Sequence, residues 1–397
     1  MSIQESLDPM TVHVGRKPRH HGARHRLGGL ACALLWGLGG CGGGGGGTGT
    51  SSPSPPPPSA TTDSLVAVTN ATTQSIDLFT IDTTSGVPTP VEGSPMPDGP
   101  APADVAIDPL KRFLYVVSTS GEIRGYVIDS STLKLTAVAG SPFSTGAPSV
   151  RLTVDPNGQF VLTANGSANT VSVFSIGSNG TLTEVEGSPF PAGSNPSAIV
   201  VEGHFVYVAN TAGSSVSAYS QNPTSGALTP VVGSPFATPG QPNGLVIDLA
   251  GTHLYASESQ PNEMSGFSID GVTGALSAIP GSPFAASFAI RSPVIDAAGK
   301  RLHVSNGTAV DCFEVDANTG ALSEIGVSPT NGRSSIALAL DGPDNFLYVL
   351  DNQANQIEVF SIDASSGALT LIKGSPFTLF AGAADESLGP NAIAVQH

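Results

Sequence analysis

Short apolar runs return along this chain at a fixed interval, separated by turn-forming residues. The tetrapeptide Gly-Ser-Pro-Phe, or a close variant, marks each interval, and its Ser-Pro pairs recur every 46–48 residues. The copies begin at residues 93, 140, 187, 233, 281, 327 and 374, and we take these positions as the joints between successive repeats. A period of this length, sustained over most of a chain, is typical of a repeat fold.

Each repeat contains four segments with the pattern of β-strands. In the unit that begins at Gly140 they read "SVRLTVD", "QFVLTAN", "TVSVFSI" and "TLTEVE", with the turn "PNG" between the first two. Short apolar or alternating runs bounded by turn residues predict antiparallel strands, which we name A, B, C and D in chain order. Four such strands in about 47 residues have the size of one β-propeller blade.

The two ends of the repeat region complement each other. Residues 63–92 supply strands B, C and D of a first unit, whereas residues 390–397, "PNAIAVQH", supply only a strand A. Joining them completes the first unit and removes free sheet edges. The sequence therefore predicts an all-β fold over residues 63–397: a seven-bladed β-propeller of four-stranded antiparallel blades, closed by its C-terminal strand.

The N-terminal residues have a different composition. A basic stretch, residues 13–26, precedes an apolar run, residues 27–40, which is too short to span a bilayer but suits the core of a signal peptide. The run ends in Leu-Gly-Gly-Cys, which resembles the lipobox of bacterial lipoproteins. We therefore predict a signal peptide over residues 1–41 and lipidation of Cys41.

A tether follows the predicted lipidation site. Residues 42–62 are rich in Gly, Pro and Ser, a composition typical of linkers. We expect the protein to be exported and anchored by lipid to the bacterial cell envelope, and Gly42 after the cysteine favours the outer membrane. Met1 and Met10 are alternative starts of translation.

Charge narrows the range of partners. The whole chain has a formal charge of −16, and residues 42–397, with 10 basic and 29 acidic side chains, carry −19. So negative a body repels phosphate backbones, so we expect no nucleic acid partner. Cys312 is the last cysteine of the chain, which leaves the body no intramolecular disulfide, and we expect a monomer.

Three repeated features resemble those of a known family. Strand B endings such as the "YVAN" of residues 207–210, hairpins such as "FSIDASSGALT" and the Gly-Ser-Pro-Phe motif are similar to those of bacterial lactonase-like seven-bladed propellers. That group includes 6-phosphogluconolactonases and the carboxymuconate lactonising enzyme fold. The resemblance covers residues 63–397, and it implies a propeller that hydrolyses lactones.

Candidate site residues follow from the predicted fold. In a propeller, the starts of strands A and the ends of strands B surround the channel at one face, where ligands bind. The polar side chains at these positions that we take as candidate ligand contacts are Arg151, Asn243, Arg291, Arg333, Asp351 and Asn391. Glu258 is the candidate general base beside Arg291 and Arg333. The alternative is that these side chains only close turns and pair with one another.

The resemblance also implies a "PRH" segment at the start of some strands A and a Glu after the Asn that ends strand B. Here the segments at Pro148, Pro242 and Pro390 read "PSV", "PNG" and "PNA", without the histidine. The sequence has no zinc-binding motif and no phosphate-binding loop, so we expect no metal and no cofactor. It favours a protein that binds a small molecule or an envelope protein at its channel face. The alternative is an active lactonase acting on a sugar or other lactone.

Overall fold

The computed structural model describes residues 64–287, 290–330, 334–379 and 390–395. Within these ranges the strands pair into seven antiparallel sheets, which we number as blades 1 to 7. Blades 2 to 7 follow one another along the chain, and blade 1 combines the first described strands with the last one. The predicted all-β, seven-bladed propeller is confirmed.

Strands A and B form the inner half of each blade. From blade 1 to blade 7, strands A are Pro390–Val395, Pro102–Ile107, Arg151–Val154, Pro196–Glu202, Pro242–Ile247, Arg291–Ile295 and Ser335–Leu340. In the same order, strands B are Ser64–Asn70, Phe113–Ser118, Phe160–Asn165, Phe205–Asn210, His253–Ser259, Arg301–Ser305 and Phe346–Asp351. A short 3-10 helix, Gly166–Ala168, follows strand B of blade 3.

Strands C and D form the outer half, and six blades have a further two-residue strand, D′. Strands C are Ser75–Ile81, Glu122–Ile128, Thr170–Ile176, Ser215–Gln221, Asn262–Ile269, Ala309–Val315 and Gln356–Ile362. Strands D are Pro88–Pro90, Leu135–Ala137, Leu182–Glu184, Leu228–Pro230, Leu276–Ala278, Leu322–Pro329 and Leu369–Leu371. Strands D′, in all blades but blade 6, are Met96–Pro97, Phe143–Ser144, Phe190–Pro191, Phe236–Ala237, Phe284–Ala285 and Phe377–Thr378.

The ring is closed by the last strand, as predicted. Strand A of blade 1 pairs antiparallel with strand B of the same blade, placing Val395 opposite Val66 and Ile393 opposite Val68. Each strand A also contacts strand A of the next blade, from blade 1 around to blade 7 and back. The described strands A therefore surround one central channel.

The hydrophobic core lies between the blades. Buried apolar side chains of the described residues form seven clusters, each shared by two neighbouring blades. In strand B of blade 1, Leu65 and Ala67 pack towards blade 2, while Val66 and Val68 pack towards blade 7. Successive side chains of a strand point to opposite faces, so an uninterrupted apolar strand B serves both neighbours.

A buried tyrosine of strand B adds a hydrogen bond between blades. Its hydroxyl donates to a glycine carbonyl in the C–D hairpin of the next blade, at 2.7–3.1 Å, in the pairs Tyr115–Gly180, Tyr207–Gly274, Tyr255–Gly320 and Tyr348–Gly86. Because a buried hydroxyl is costly without a partner, these bonds favour one relative placement of adjacent blades.

Blade 6 has a histidine where four other blades have this tyrosine. Nδ1 of His303 lies 3.3 Å from Sγ of Cys312, and both side chains are buried. Burial lowers the pKa of His303 to about 4 and raises the pKa of the Cys312 thiol to about 12. The pair is therefore neutral, and Cys312 is a residue of strand C without thiolate character.

The Gly-Ser-Pro motif interrupts strand D rather than ending the blade. In six blades its glycine has φ of 85–95°, the Ser-Pro bond is cis, and the next two residues return as D′ to pair with strand C. The chain crosses to the next blade only after D′, a few residues beyond the joints suggested by the repeat count. The prediction of a single strand D was wrong in these six blades, because the motif forms an outward loop within the strand.

The motif's serine caps the backbone that this loop leaves open. Its hydroxyl accepts a hydrogen bond of 2.7–3.1 Å from an amide in the middle of strand C, by Ser94, Ser141, Ser188, Ser234, Ser282 and Ser375. The side chain takes the place of a strand D carbonyl, and the amide remains satisfied. The motif is structural in each of these blades.

Blade 6 carries the degraded copy of the motif. Val327 stands where the other copies have glycine, and a β-branched residue does not adopt φ near +90°. Strand D therefore continues as Leu322–Pro329, with one register shift, and pairs directly with strand C. Replacing the glycine removes the loop and leaves the blade intact.

We expect Ser234→Ala to lower the free energy of unfolding by about 1–2 kcal/mol, because the amide of buried Ala218 loses its acceptor. Ser323→Ala is the control, since Ser323 is an exposed residue of the uninterrupted strand D in blade 6, and its cost should stay within about 0.5 kcal/mol. Denaturant unfolding of both variants measures the difference, and equal losses would contradict the capping role.

Candidate functional site

A polar cavity of about 150 Å³ lies at the end of the channel where strands A begin. Strands A of blades 2 to 6 contribute its walls. Three of the predicted contacts, Arg151, Asn243 and Arg291, line it together with Asp104 and Ser292. The channel therefore brings side chains from four blades, 2, 3, 5 and 6, into one small polar space.

Asp104 and Arg151 occupy equivalent positions in neighbouring blades. Each pairs with the residue just before the polar end of its strand B, Val117 in blade 2 and Ala164 in blade 3. Other blades have small residues at this position, namely Ala392, Ala198, Gly244 and Ala337. The small side chains leave room in the channel beside the two charged ones.

Asp104 is a half-buried carboxylate at the cavity wall. Its Oδ2 accepts a hydrogen bond of 3.0 Å from the amide of Leu152 in blade 3. Desolvation raises the pKa of Asp104, and the charge of Arg151 and the amides of Leu152 and Val105 offset part of this rise. A carboxylate with a raised pKa is a stronger proton acceptor than an exposed aspartate.

The arginines of the cavity differ from the other arginines of the described ranges. The others are held by acceptors on the blades, in the pairs Arg112–Asp108, Arg124–Asp98 and Arg301 with the carbonyl of Ser365. Arg151 donates only to the carbonyl of Val150, at 3.1 Å, and the Arg291 guanidinium makes no hydrogen bond or ion pair within the described ranges. Both guanidinium groups keep donors for a ligand with carboxylate, phosphate or oxyanion character.

Asn243 and Ser292 connect blades at the cavity wall. Nδ2 of Asn243 donates to the carbonyl of Ile290 in blade 6, at 3.0 Å, and Oγ of Ser292 accepts from the amide of Leu338 in blade 7, at 3.1 Å. At Gly244 a Cβ would lie 2.6 Å from Cδ of Pro293, so glycine permits the close approach of blades 5 and 6. These residues shape the cavity and have less donor capacity left for a ligand.

The structure places Glu258 away from the cavity wall. It is fully buried at the end of strand B in blade 5, and its Oε1 accepts a hydrogen bond from the Ser265 hydroxyl. Asn165 and Asn210 end strand B in blades 3 and 4 and donate to the corresponding serines of strand C. Glu258 therefore braces strands B and C in the same way, and its catalytic role stays a prediction.

The remaining predicted residues do not line the cavity within the described ranges. Asp351 is buried at the end of strand B in blade 7, where its Oδ1 accepts the amides of Gln353 and Ala354 and closes the B–C turn. Arg333, the side chain of Asn391 and Cys41 lie outside the described residues.

Two further observations concern histidines and possible metal ligands. None of the three described histidines lines it, and no group of His, Cys, Asp or Glu within the described ranges is arranged to hold a metal ion. Asp104 did not stand out in the sequence, although "PAD" begins strand A of blade 2 as "PNG" begins that of blade 5. An acidic residue two positions after that proline was the available signal.

A known protein family and several solved structures match this architecture. The family model described as "Lactonase, 7-bladed beta-propeller" matches residues 64–188, 185–294 and 294–378. No curated protein matches the chain.

Three solved structures illustrate the likeness. Candidate 6-phosphogluconolactonases of Bacteroides uniformis ATCC 8492 and Bacteroides fragilis NCTC 9343 both give a TM-score of 0.74, at 18% and 19% identity, over 84% and 85% of this chain and 99% of each of theirs. The periplasmic gluconolactonase of Pseudomonas aeruginosa gives 0.70 at 18% identity, over 84% of this chain and 99% of its own. At these identities the likeness shows the fold alone.

Glu258 generates a prediction about stability and pH. Burial raises its pKa to about 7, so between about pH 4.5 and 7 the unfolded chain releases a proton that the folded chain retains. Folding is therefore weakened as the pH rises through this window, by on the order of 3 kcal/mol in total. In Glu258→Gln this loss should be absent, so the variant should gain stability relative to the parent from pH 4.5 to 7.

Chemical denaturation across that range measures the effect. Glu186→Gln, on the exposed surface, is the control and should follow the parent at every pH. Parallel curves for the parent and Glu258→Gln would show that the carboxyl is ionised in the folded protein.

Proposed function

This chain belongs to the lactonase family of seven-bladed β-propellers, and from that premise we propose that it hydrolyses a lactone in the polar cavity of its channel. The proposal rests on one observation: Asp104, Arg151 and Arg291 line the same cavity. A carboxylate and two guanidinium groups are the side chains that an ester hydrolysis needs for proton transfer and charge stabilisation.

The reaction is the addition of water to a cyclic ester. Asp104 accepts a proton from water as the water oxygen attacks the carbonyl carbon, and a tetrahedral oxyanion forms. The bond between that carbon and the ring oxygen then breaks, the ring oxygen takes up a proton, and the product is a hydroxycarboxylic acid. The raised pKa of Asp104 suits the first step, because a base works best when its pKa is close to the working pH.

Arg151 and Arg291 bind the negative charge of the reaction. Their donors stabilise the oxyanion and hold the carboxylate of the product. The cavity, at about 150 Å³, is smaller than most small-molecule sites, which range from about 300 to 1,000 Å³. We therefore favour a substrate with one small ring, such as a sugar lactone.

A second candidate function is binding without turnover, which the sequence favoured. One observation supports it: the "PRH" histidine implied by the family resemblance is absent from the starts of strands A in the described ranges. The ligand would then be a small molecule or an envelope protein held at the same face. The family membership favours hydrolysis instead.

The purified protein should release acid from a lactone in a pH-stat assay with glucono-δ-lactone, 6-phosphogluconolactone and a carboxylated lactone as substrates. Asp104→Asn keeps an acceptor for Leu152 but cannot take a proton, so kcat should fall by about 10² or more. Arg291→Ala should lower kcat/KM by at least about tenfold, because a charged hydrogen bond is lost.

Asp270→Asn is the matched control for this experiment. Asp270 accepts two turn amides in the C–D hairpin of blade 5, and Asn222 does the same in blade 4, so the substitution should keep fold and turnover. Glu258→Gln distinguishes the two candidate bases. If Glu258→Gln loses turnover while Asp104→Asn keeps it, the general base is Glu258 and not Asp104. Failure of the parent protein on every lactone would instead favour binding without turnover.

The proposal includes an extracytoplasmic location with a lipid anchor at Cys41. Its support is the order of basic, apolar and Leu-Gly-Gly-Cys segments in residues 13–41, and one structural neighbour is a periplasmic enzyme. Within the described ranges, no helix has the length and apolar character needed to cross a bilayer. A location in the envelope also agrees with a sugar lactone without phosphate as the substrate.

Cells fed an alkyne fatty acid should incorporate the label into this protein, which should sediment with membranes. Cys41→Ala should abolish the labelling, because the acceptor thiol is gone. Cys32→Ala changes a cysteine within the predicted signal peptide and should keep the label. Equal labelling of the two variants would contradict anchoring at Cys41.

A further inference from the structure

A second cavity, of about 690 Å³, lies at the opposite end of the channel. Its walls are the final residues of strands A, and many are aliphatic side chains that remain half-exposed, among them Ile107, Val246, Ile247, Ile295 and Ile393. In blades 2, 4, 5 and 6 the same strand A lines the polar cavity with residues near its start and this one with residues at its end. The channel thus has a polar end and an apolar end.

The apolar cavity has a negative rim. Four of its lining residues are acidic, Glu202, Asp248, Asp296 and Asp344, and none of its lining residues is basic. Asp248 accepts hydrogen bonds from Thr252 and His253, whereas no hydrogen bond to the Glu202 carboxylate is made within the described ranges. Burial and the charge of Asp248 both raise the pKa of Glu202, so a nearby cation would relieve this pair.

The mouth of this cavity also exposes an apolar side chain. Leu249, in the A–B turn of blade 5, is 73% exposed and belongs to the lining. Leu110, in the A–B turn of blade 2, is 55% exposed and does not line the cavity. An exposed leucine at the opening of an aliphatic cavity gives an apolar ligand contact from the surface inwards.

We propose that this end of the channel binds an amphiphile that has an aliphatic chain and a cationic head group. The aliphatic walls accept the chain, and the four carboxylates of the rim favour a positive over a negative head. The volume lies within the usual range for small-molecule sites. The site is separate from the polar cavity, so it does not depend on lactone hydrolysis.

Three probes of related structure test the proposal by titration calorimetry on the full chain, below their micelle concentrations. Octyltrimethylammonium has both features, octanoate has the chain with a negative head, and tetramethylammonium has the head alone. Octyltrimethylammonium should bind at a ratio of one to one and at least about tenfold more tightly than either of the others. Its advantage over tetramethylammonium comes from the chain, since each buried methylene adds about fourfold in affinity. Its advantage over octanoate comes from the attraction between its positive head group and the rim carboxylates. Equal affinity for octanoate, or no binding of octyltrimethylammonium, would overturn the proposal.

Two pairs of variants locate the binding. Leu249→Ser should weaken octyltrimethylammonium about fivefold, whereas Leu110→Ser, an exposed leucine in the equivalent turn of another blade, should leave it unchanged. Glu202→Gln should weaken the same probe about fivefold and narrow its advantage over octanoate, whereas the exposed Glu186→Gln should do neither. If neither Leu249→Ser nor Glu202→Gln weakens octyltrimethylammonium, the probe binds elsewhere on the acidic surface, and the proposal is wrong.

Discussion

Every blade of this propeller depends on its neighbours, because its inner strands are apolar on both faces. Strand B of blade 1 packs Leu65 towards one neighbour and Val66 towards the other, and all seven clusters span two blades in this way. An isolated blade would expose both faces to water, and an open ring would expose one face at each end. Pairing strand A of blade 1 with strand B removes the open ends, so closure is part of the core and not an accessory to it.

The same packing leaves the starts of strands A free to vary. Structural positions repeat their chemistry: the tyrosines of strand B bind the next blade, and the serines of the Gly-Ser-Pro motif cap strand C of their own blade. The channel position of Asp104 and Arg151 is occupied by alanine or glycine in other blades, so a small side chain is enough for the packing there. A charged side chain at this position replaces no large apolar one, which makes it suitable for groups that contact a ligand.

Much of the fold could be predicted, because its signals are local. Spacing gave the number of blades, and the incomplete units at residues 63–92 and 390–397 gave the closure. The loop in strand D could not be predicted, because it depends on a contact between Ser234 and the amide of Ala218 that lies in a different strand. Local turn signals mark where a strand is interrupted, but not whether the chain leaves the blade or returns to it.

The site was predicted in part for the same reason. Arg151, Asn243 and Arg291 follow turn residues at the starts of strands A, so their position on the channel could be inferred from the repeat. Glu258 ends a strand B, and polarity at that position does not distinguish a side chain that faces the channel from one that braces strand C. Asp104 also lies at the start of a strand A but was not chosen as a ligand contact, because a single carboxylate in an acidic sequence is a weak signal until its neighbour Arg151 is placed.

Charge distribution bears on which lactone would suit the hydrolysis that we propose for this channel. Residues 42–397 carry a formal charge of −19, while Arg151 and Arg291, which form no ion pair within the described ranges, meet at the polar cavity. An anionic substrate is repelled by the body at long range and attracted by the arginines only within about one Debye length, roughly 8 Å in physiological salt. A neutral lactone meets no such repulsion, and it acquires negative charge only in the transition state, beside Arg151 and Arg291. The arrangement therefore favours a neutral lactone over a phosphorylated one, because the two arginines then stabilise the transition state and not the substrate.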